Sequence, residues 1–107
     1  MDPKEIQAKI DRQYCTILLG LINSKSTNRE DTHKSATALL SLEPINSFDD
    51  AKTKLEFFVS KFPQYKDLLS YLVALEADQK VKHVVDKMHE HLRENNIDEA
   101  LKVASNI

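Results

Sequence analysis

The chain is expected to be all-α, a single compact bundle of five or six helices arranged as antiparallel hairpins, and three observations lead there. Glycine occurs once and proline three times in 107 residues. An antiparallel sandwich or barrel needs a tight turn about every ten residues, and glycine usually supplies the positive φ of those turns. An all-β fold would have no means of turning its corners here. Apolar residues also recur at three- and four-residue spacing in several separate stretches, the mark of amphipathic helices. Finally, the length suffices for one modest core and not for two, so residues 1–107 are read as one helical domain.

The first helix opens with Asp2 as N-cap and Pro3 at the first helical position, where the missing proline N–H costs nothing. Ile6, Ile10, Tyr14, Ile17, Leu18 and Leu21 form its core stripe. Cys15, Leu19 and Ile22 add a second apolar stripe to its later half. That half is therefore either the central helix of the bundle or a surface that meets another chain. The polar run from Asn23 to Arg29 reads as a loop. A shorter helix covers about Glu30 to Leu42, with Ala36, Leu39 and Leu40 inward, and Pro44 excludes Glu43 from it. Ser47 caps the next helix, with Asp49 and Asp50 in a first turn that favours negative charge. Phe48, Ala51, Leu55, Phe58, Val59 and Phe62 give it one apolar face, and Pro63 closes it.

From Gln64 to Glu94 no residue breaks a helix, but the apolar positions change direction. Tyr65, Leu68, Leu69, Leu72, Val73 and Leu75 centre on one side, and Val81, Val84, Val85, Met88 and Leu92 roughly 160° away at 100° per residue. One straight helix cannot bury both sets against one core. Either one long helix is shared between packing partners on opposite sides, or the chain turns near Ala77-Asp78-Gln79-Lys80, and the turn is favoured. A last helix starts at an Asn96 cap with Glu99 placed as in a capping box, and Ile97, Ala100, Leu101 and Ala104 form its inner face.

Ser47 to Pro63 resembles the second helix of a tetratricopeptide repeat, with Ala51, Leu55 and Pro63 at that repeat's small, large and helix-stopping positions. The preceding helix departs from the pattern, because Ser35 and Leu39 stand for a large residue and a glycine. Asn96 to Leu101 has a similar flavour, but Lys87, Met88 and His91 occupy the signature positions upstream. Ala51 and Ala100 are also 49 residues apart, against a repeat of roughly 34. Both stretches are similar to hairpins of vesicle-coat and other helical scaffold domains. The likeness covers about one helix each time; it implies helical hairpins and names no family.

Fifteen basic residues face 17 acidic ones, for a net charge of −2, and no segment carries a basic excess. This argues against a phosphate-tracking surface. The lone Cys15 cannot close an internal disulfide, and Met1 to Glu5 lack the apolar stretch of a secretory signal. A reducing, cytoplasmic location is expected. The longest apolar run, Tyr14 to Ile22, is interrupted by Thr16 and Gly20 and falls well short of the roughly 20 residues of a membrane span, so no membrane insertion is expected.

Chemistry finds little purchase. Glu30 with His33 and Asp86 with His89 have the (i, i+3) spacing of a di-iron bundle, but both pairs read as solvated. The group His83, Asp86, His89, Glu90 and His91 lacks a closed tetrahedral set. No nucleophile elbow, phosphate loop or dinucleotide turn is present. As a thiol, Cys15 reads as buried and structural rather than as an electropositive, partly exposed nucleophile. Gly20, with Thr16 on the same side, reads as a close approach of a neighbouring helix, at a cost of up to about 1 kcal/mol relative to Ala. No catalytic residue, metal or cofactor is expected.

What remains is surplus apolar surface: Cys15, Leu19 and Ile22 on the first helix, and Phe57 pointing away from its helix's inner face among Lys54, Ser60 and Lys61. Either the bundle wraps around these residues, or they bind a partner protein or a second copy of the chain. The expected function is a non-enzymatic protein–protein interaction module: an adaptor, small assembly subunit or chaperone-like partner. Two alternatives stand beside it. One is a regulatory nucleic-acid binder using Lys80, Lys82, Lys87 and Arg93, and the other a metal-binding bundle using the His83–His91 region.

Overall fold

Each of the first three helices begins where a side chain takes over a backbone N–H that the helix itself leaves free. In the computed structural model, which describes residues Met1–Ser105, Asp2 accepts from the Glu5 N–H at 2.9 Å and opens α1 (Pro3–Asn23). Asn28 accepts from Asp31 N–H at 2.8 Å and opens α2 (Arg29–Leu40). Ser47 accepts from Asp50 N–H at 3.0 Å and opens α3 (Phe48–Lys61). Pro63 ends α3 and starts a single 3-10 turn, Pro63–Tyr65, which leads into α4 (Asp67–Arg93). The cap of α5 (Ile97–Ser105) is longer, with Asn96 3.4 Å from the Glu99 N–H. The architecture is an all-α bundle of five helices, and no strand occurs among the described residues.

Two helices end in the same way. At the end of α1, Lys25 adopts φ 57°, while Lys25 N–H reaches the Ile22 carbonyl and Ser26 N–H the Leu21 carbonyl. At the end of α4, Asn95 adopts φ 61°, with Asn95 N–H on Leu92 and Asn96 N–H on His91. These are Schellman closures with a side chain where glycine is usual.

By its contacts the chain divides into two units, Met1–Val73 and Ala74–Ile107. The first holds a core of Ile6, Ile10 and Tyr14 from α1, Leu39 from α2, Leu42 and Ile45 from the connection, and Ala51, Leu55 and Phe58 from α3. Tyr65, Leu68 and Leu72 complete it. Fully burying a side chain such as Leu55 contributes about 1.5–3 kcal/mol, so this layer dominates the stability of the unit. Inside it, the Tyr14 ring stacks on Tyr65 at 4.8 Å between centroids, and Phe58 meets both. The Tyr14 hydroxyl lies 2.7 Å from Ser35 Oγ, which donates to the Thr32 carbonyl at 3.1 Å and lies 3.4 Å from the Tyr65 hydroxyl. Burial pushes the Tyr14 hydroxyl up to about 12, so it stays protonated at neutral pH.

In the second unit, the later part of α4 and α5 form a helical hairpin. Among its described residues Ala100 alone is buried, and Val84, Met88, His91, Val103 and Ala104 are half-buried.

Five expectations are corrected. The chain does not turn near Ala77–Lys80: α4 is continuous, and its two apolar faces belong to different units, Leu68 and Leu72 to the first core and Val84 and Met88 to the second hairpin. The sequence between them contains no glycine or proline to interrupt it. Leu40 is exposed and Ser35 is buried in its place, because Ser35 is the α2 residue that meets the tyrosine hydroxyls. Gly20 approaches nothing: a Cβ placed there would meet no atom within 4 Å. Cys15 is exposed, since the later half of α1 is covered on one side only. Finally, Ile97 and Leu101 are not inner-face residues, nor are Val81, Val85 and Leu92 packed; all five are exposed.

Two outcomes follow from the first unit. Ser35→Ala leaves the buried Tyr14 hydroxyl without its partner and should cost about 1–3 kcal/mol in urea unfolding, part of which Tyr14→Phe in the same chain restores. Gly20→Ala should add up to about 1 kcal/mol by the same measurement, because the helix gains propensity and nothing obstructs the methyl group.

Candidate functional site

The α1 stripe is built by spacing alone. Cys15, Leu19 and Ile22 stand four and three residues apart, which places them on one helix face. That face is roughly 140° from Ile6, Ile10 and Tyr14 at 100° per residue. Leu19 is 58% exposed and Ile22 51%. The stripe ends at the Lys25 closure, and Thr16 beside it turns its hydroxyl back to the Arg12 carbonyl at 3.1 Å. Phe57 is also 58% exposed. Lys61 Nζ sits 4.4 Å from its ring centroid, a cation–π contact worth about 0.5–1 kcal/mol at an exposed site. Phe57 points away from the α3 core face just as the stripe points away from the α1 core face. Cys15, Leu19 and Ile22 thus share one exposed face of α1, and Phe57 stands exposed on α3.

Sequence reading missed a second apolar face. Val81, Val85 and Leu92 on α4 and Ile97 and Leu101 on α5 are all more than half exposed. At 100° per residue, the α4 set lies roughly 70° round from Val84, Met88 and His91, and the α5 set roughly 90° round from Ala100, Val103 and Ala104. Periodicity had found these residues; only the hairpin's small seam shows that they are left over.

The charged candidates do not converge. Lys80 pairs with Glu76 at 3.1 Å and Lys87 with Glu90 at 3.8 Å. Lys82 and Arg93 lie on the other side of α4, roughly 140° away by the same rotation, so the four form no single basic stripe. Glu30, His33, Asp86 and His89 are all exposed, and no three His, Cys, Asp or Glu residues are grouped to hold a metal among the described residues. His91 is half-buried, and its Nδ1 has no hydrogen-bond partner, with Glu94 Oε2 4.0 Å away.

The first unit also has an open cavity of about 550 Å³ between the start of α1 and the segment after α2, bounded by Pro3, Lys4, Ala8, Asp11, Pro44 and Ile45. Asp11 is the one carboxylate on its wall. Partial burial, and then Glu43 nearby, raise its pKa above the ordinary carboxylate value. On the far side of Pro44, Lys54 donates to the Pro44 carbonyl and to Asp50, and the Asn46 N–H also donates to Asp50. The Asn46 hydrogen bond and then Lys54 hold the Asp50 carboxyl below its usual range. These bonds fasten the connecting segment to α3. No nucleophile and base are aligned in the cavity. Among the described residues, no helix is long and apolar enough to cross a membrane. Comparison with family models, curated proteins and solved structures gives no match.

Because Cys15 is exposed, a maleimide should label it fully in the native protein, at a rate close to that in urea. Protection that is lost only on unfolding would show the thiol to be covered.

Proposed function

We propose that the chain is a non-enzymatic protein–protein interaction module, an adaptor, small assembly subunit or chaperone-like partner that grips another protein with the outer face of α1. One observation carries the reading. Leu19 and Ile22 form an apolar stripe with Cys15 on a helix whose opposite face is already buried, and both are more than half exposed. A soluble helix keeps its solvent side polar, so aliphatic residues held there have a use outside the core. Burying each would contribute about 1.5–3 kcal/mol to association, enough for two or three anchors to hold a partner reversibly. Phe57, rimmed by Lys54, Ser60 and Lys61, has the make-up of an aromatic anchor within a polar rim.

The stripe is tested by Leu19→Lys with Ile22→Gln, and the separate anchor by Phe57→Gln. The helical signal and unfolding midpoint should stay within experimental error of the wild type, because surface positions are being changed. A protein captured by wild type from native lysate should be lost or reduced at least tenfold with the α1 variant. Equal capture by wild type and both variants would rule the surface out.

A further inference from the structure

The outer face of α1 is longer than its aliphatic stripe. Lys4, Ala8, Asp11, Cys15, Leu19 and Ile22 follow one another at spacings of four, three, four, four and three residues. At 100° per residue, all six fall within roughly 80° of one another, and none of them is buried. Lys4, Ala8 and Asp11 are also wall residues of the open cavity of about 550 Å³ beside Pro44 and Ile45. Cavity and stripe are therefore two ends of one surface, both within the first unit.

The two ends differ in charge. From Arg12 to Ser26 no residue is acidic, and Arg12 and Lys25 flank the stripe. The cavity end carries the half-buried Asp11, which takes part in no ion pair among the described residues. Nearby charges leave it unneutralised. Lys4 stands seven residues away, roughly 10 Å along the axis, a separation that salt largely screens. Arg12 and Glu5 have opposite signs and lie roughly 100° and 120° round the helix from Asp11. Lys9 is further round still, roughly 160° away. Across the cavity, Glu43 adds a second negative charge, and Lys54 is engaged by Asp50 and the Pro44 carbonyl. Burial and then Glu43 raise the Asp11 carboxyl, and no cation opposes them.

We propose that the α1 face receives an amphipathic helix of a partner protein, and that this helix sets a lysine or arginine into the cavity against Asp11, two to three turns from the aliphatic side chains that cover Leu19 and Ile22. The inference rests on the reading of α1 as a partner surface and adds the partner's chemistry to it. Leu19 and Ile22 stand eight and eleven residues beyond Asp11, roughly 12 and 16 Å along α1. A second helix laid along that face at a shallow angle spans the same distance in the same number of residues. The cavity suits a long basic side chain twice over. Its methylene stem lies along Pro3, Ala8, Pro44 and Ile45, and its charged end reaches Asp11. An acidic side chain in that place would meet Asp11 and Glu43 with like charge.

The test is selection of binders from a displayed library of helical peptides about 18 residues long, or five turns, with aliphatic residues fixed on one face and the other positions randomised. Clones selected on the wild-type chain should carry lysine or arginine two to three turns from their aliphatic anchors, several-fold more often than aspartate or glutamate. Clones selected on Asp11→Lys should show the opposite preference. For the leading wild-type clone made as a free peptide, Asp11→Asn should weaken binding about three- to tenfold, with α-helical signal of the protein unchanged. Leu19→Lys with Ile22→Gln should abolish it. Clones without a charge preference, or with one that Asp11→Lys leaves unaltered, overturn the inference; if the Leu19 and Ile22 changes still abolish binding, the α1 surface stands without it. Clones that bind all these variants equally sink both. A selection that yields no binder to the wild-type chain also overturns the inference, and lysate capture then decides the α1 surface by itself.

Discussion

Three hydroxyl groups inside the first core constrain more of this molecule than any single apolar contact. Tyr14 comes from α1, Ser35 from α2 and Tyr65 from the turn before α4, and their oxygens lie within 3.4 Å along the chain Tyr14–Ser35–Tyr65. Apolar side chains slide past one another at modest cost, whereas a buried hydroxyl without a partner loses its full hydration. The three segments are therefore held in one register. The short side chain at Ser35 is what lets two aromatic rings stack beside α2 at 4.8 Å. A large residue at that position, as in a tetratricopeptide hairpin, would occupy the same space.

The local features of the fold were legible because they depend on near neighbours. Asp2, Ser47 and Asn96 act as caps, Pro44 lies beyond α2, and Ala51, Leu55 and Phe58 are buried together, all as residue type and spacing imply. The misreadings occur where the outcome depends on which helix lies alongside. Gly20 has the residue type of a close approach, yet no helix comes near it. Leu40 fits the apolar pattern of α2, but the tyrosine pair draws Ser35 inward and rotates Leu40 out. The reversal of the apolar direction in α4 was read correctly, and its cause was not. Opposite faces are explained either by a turn or by two separate burial partners, and only the unbroken hydrogen-bonded helix distinguishes them.

The candidate surfaces divide along the same line. Periodicity alone flags Leu19, Ile22 and Phe57, because each stands on a helix whose inner stripe is already complete. The five exposed residues of the hairpin cannot be flagged that way. Val81, Val85, Leu92, Ile97 and Leu101 look like core residues and would be core residues in a larger unit. Few neighbours cover them: among the hairpin's described residues Ala100, 3% exposed, is the only one buried.

The two surfaces also differ in what binding would change. The first unit has a filled aromatic core and a satisfied hydroxyl chain, so covering Leu19 and Ile22 adds affinity for a partner without being needed for the fold. The second unit has no comparable core: among its described residues only Ala100 is buried, while Val81, Val85, Leu92, Ile97 and Leu101 are each more than half exposed. Covering those side chains would add buried apolar area where the unit has least of it.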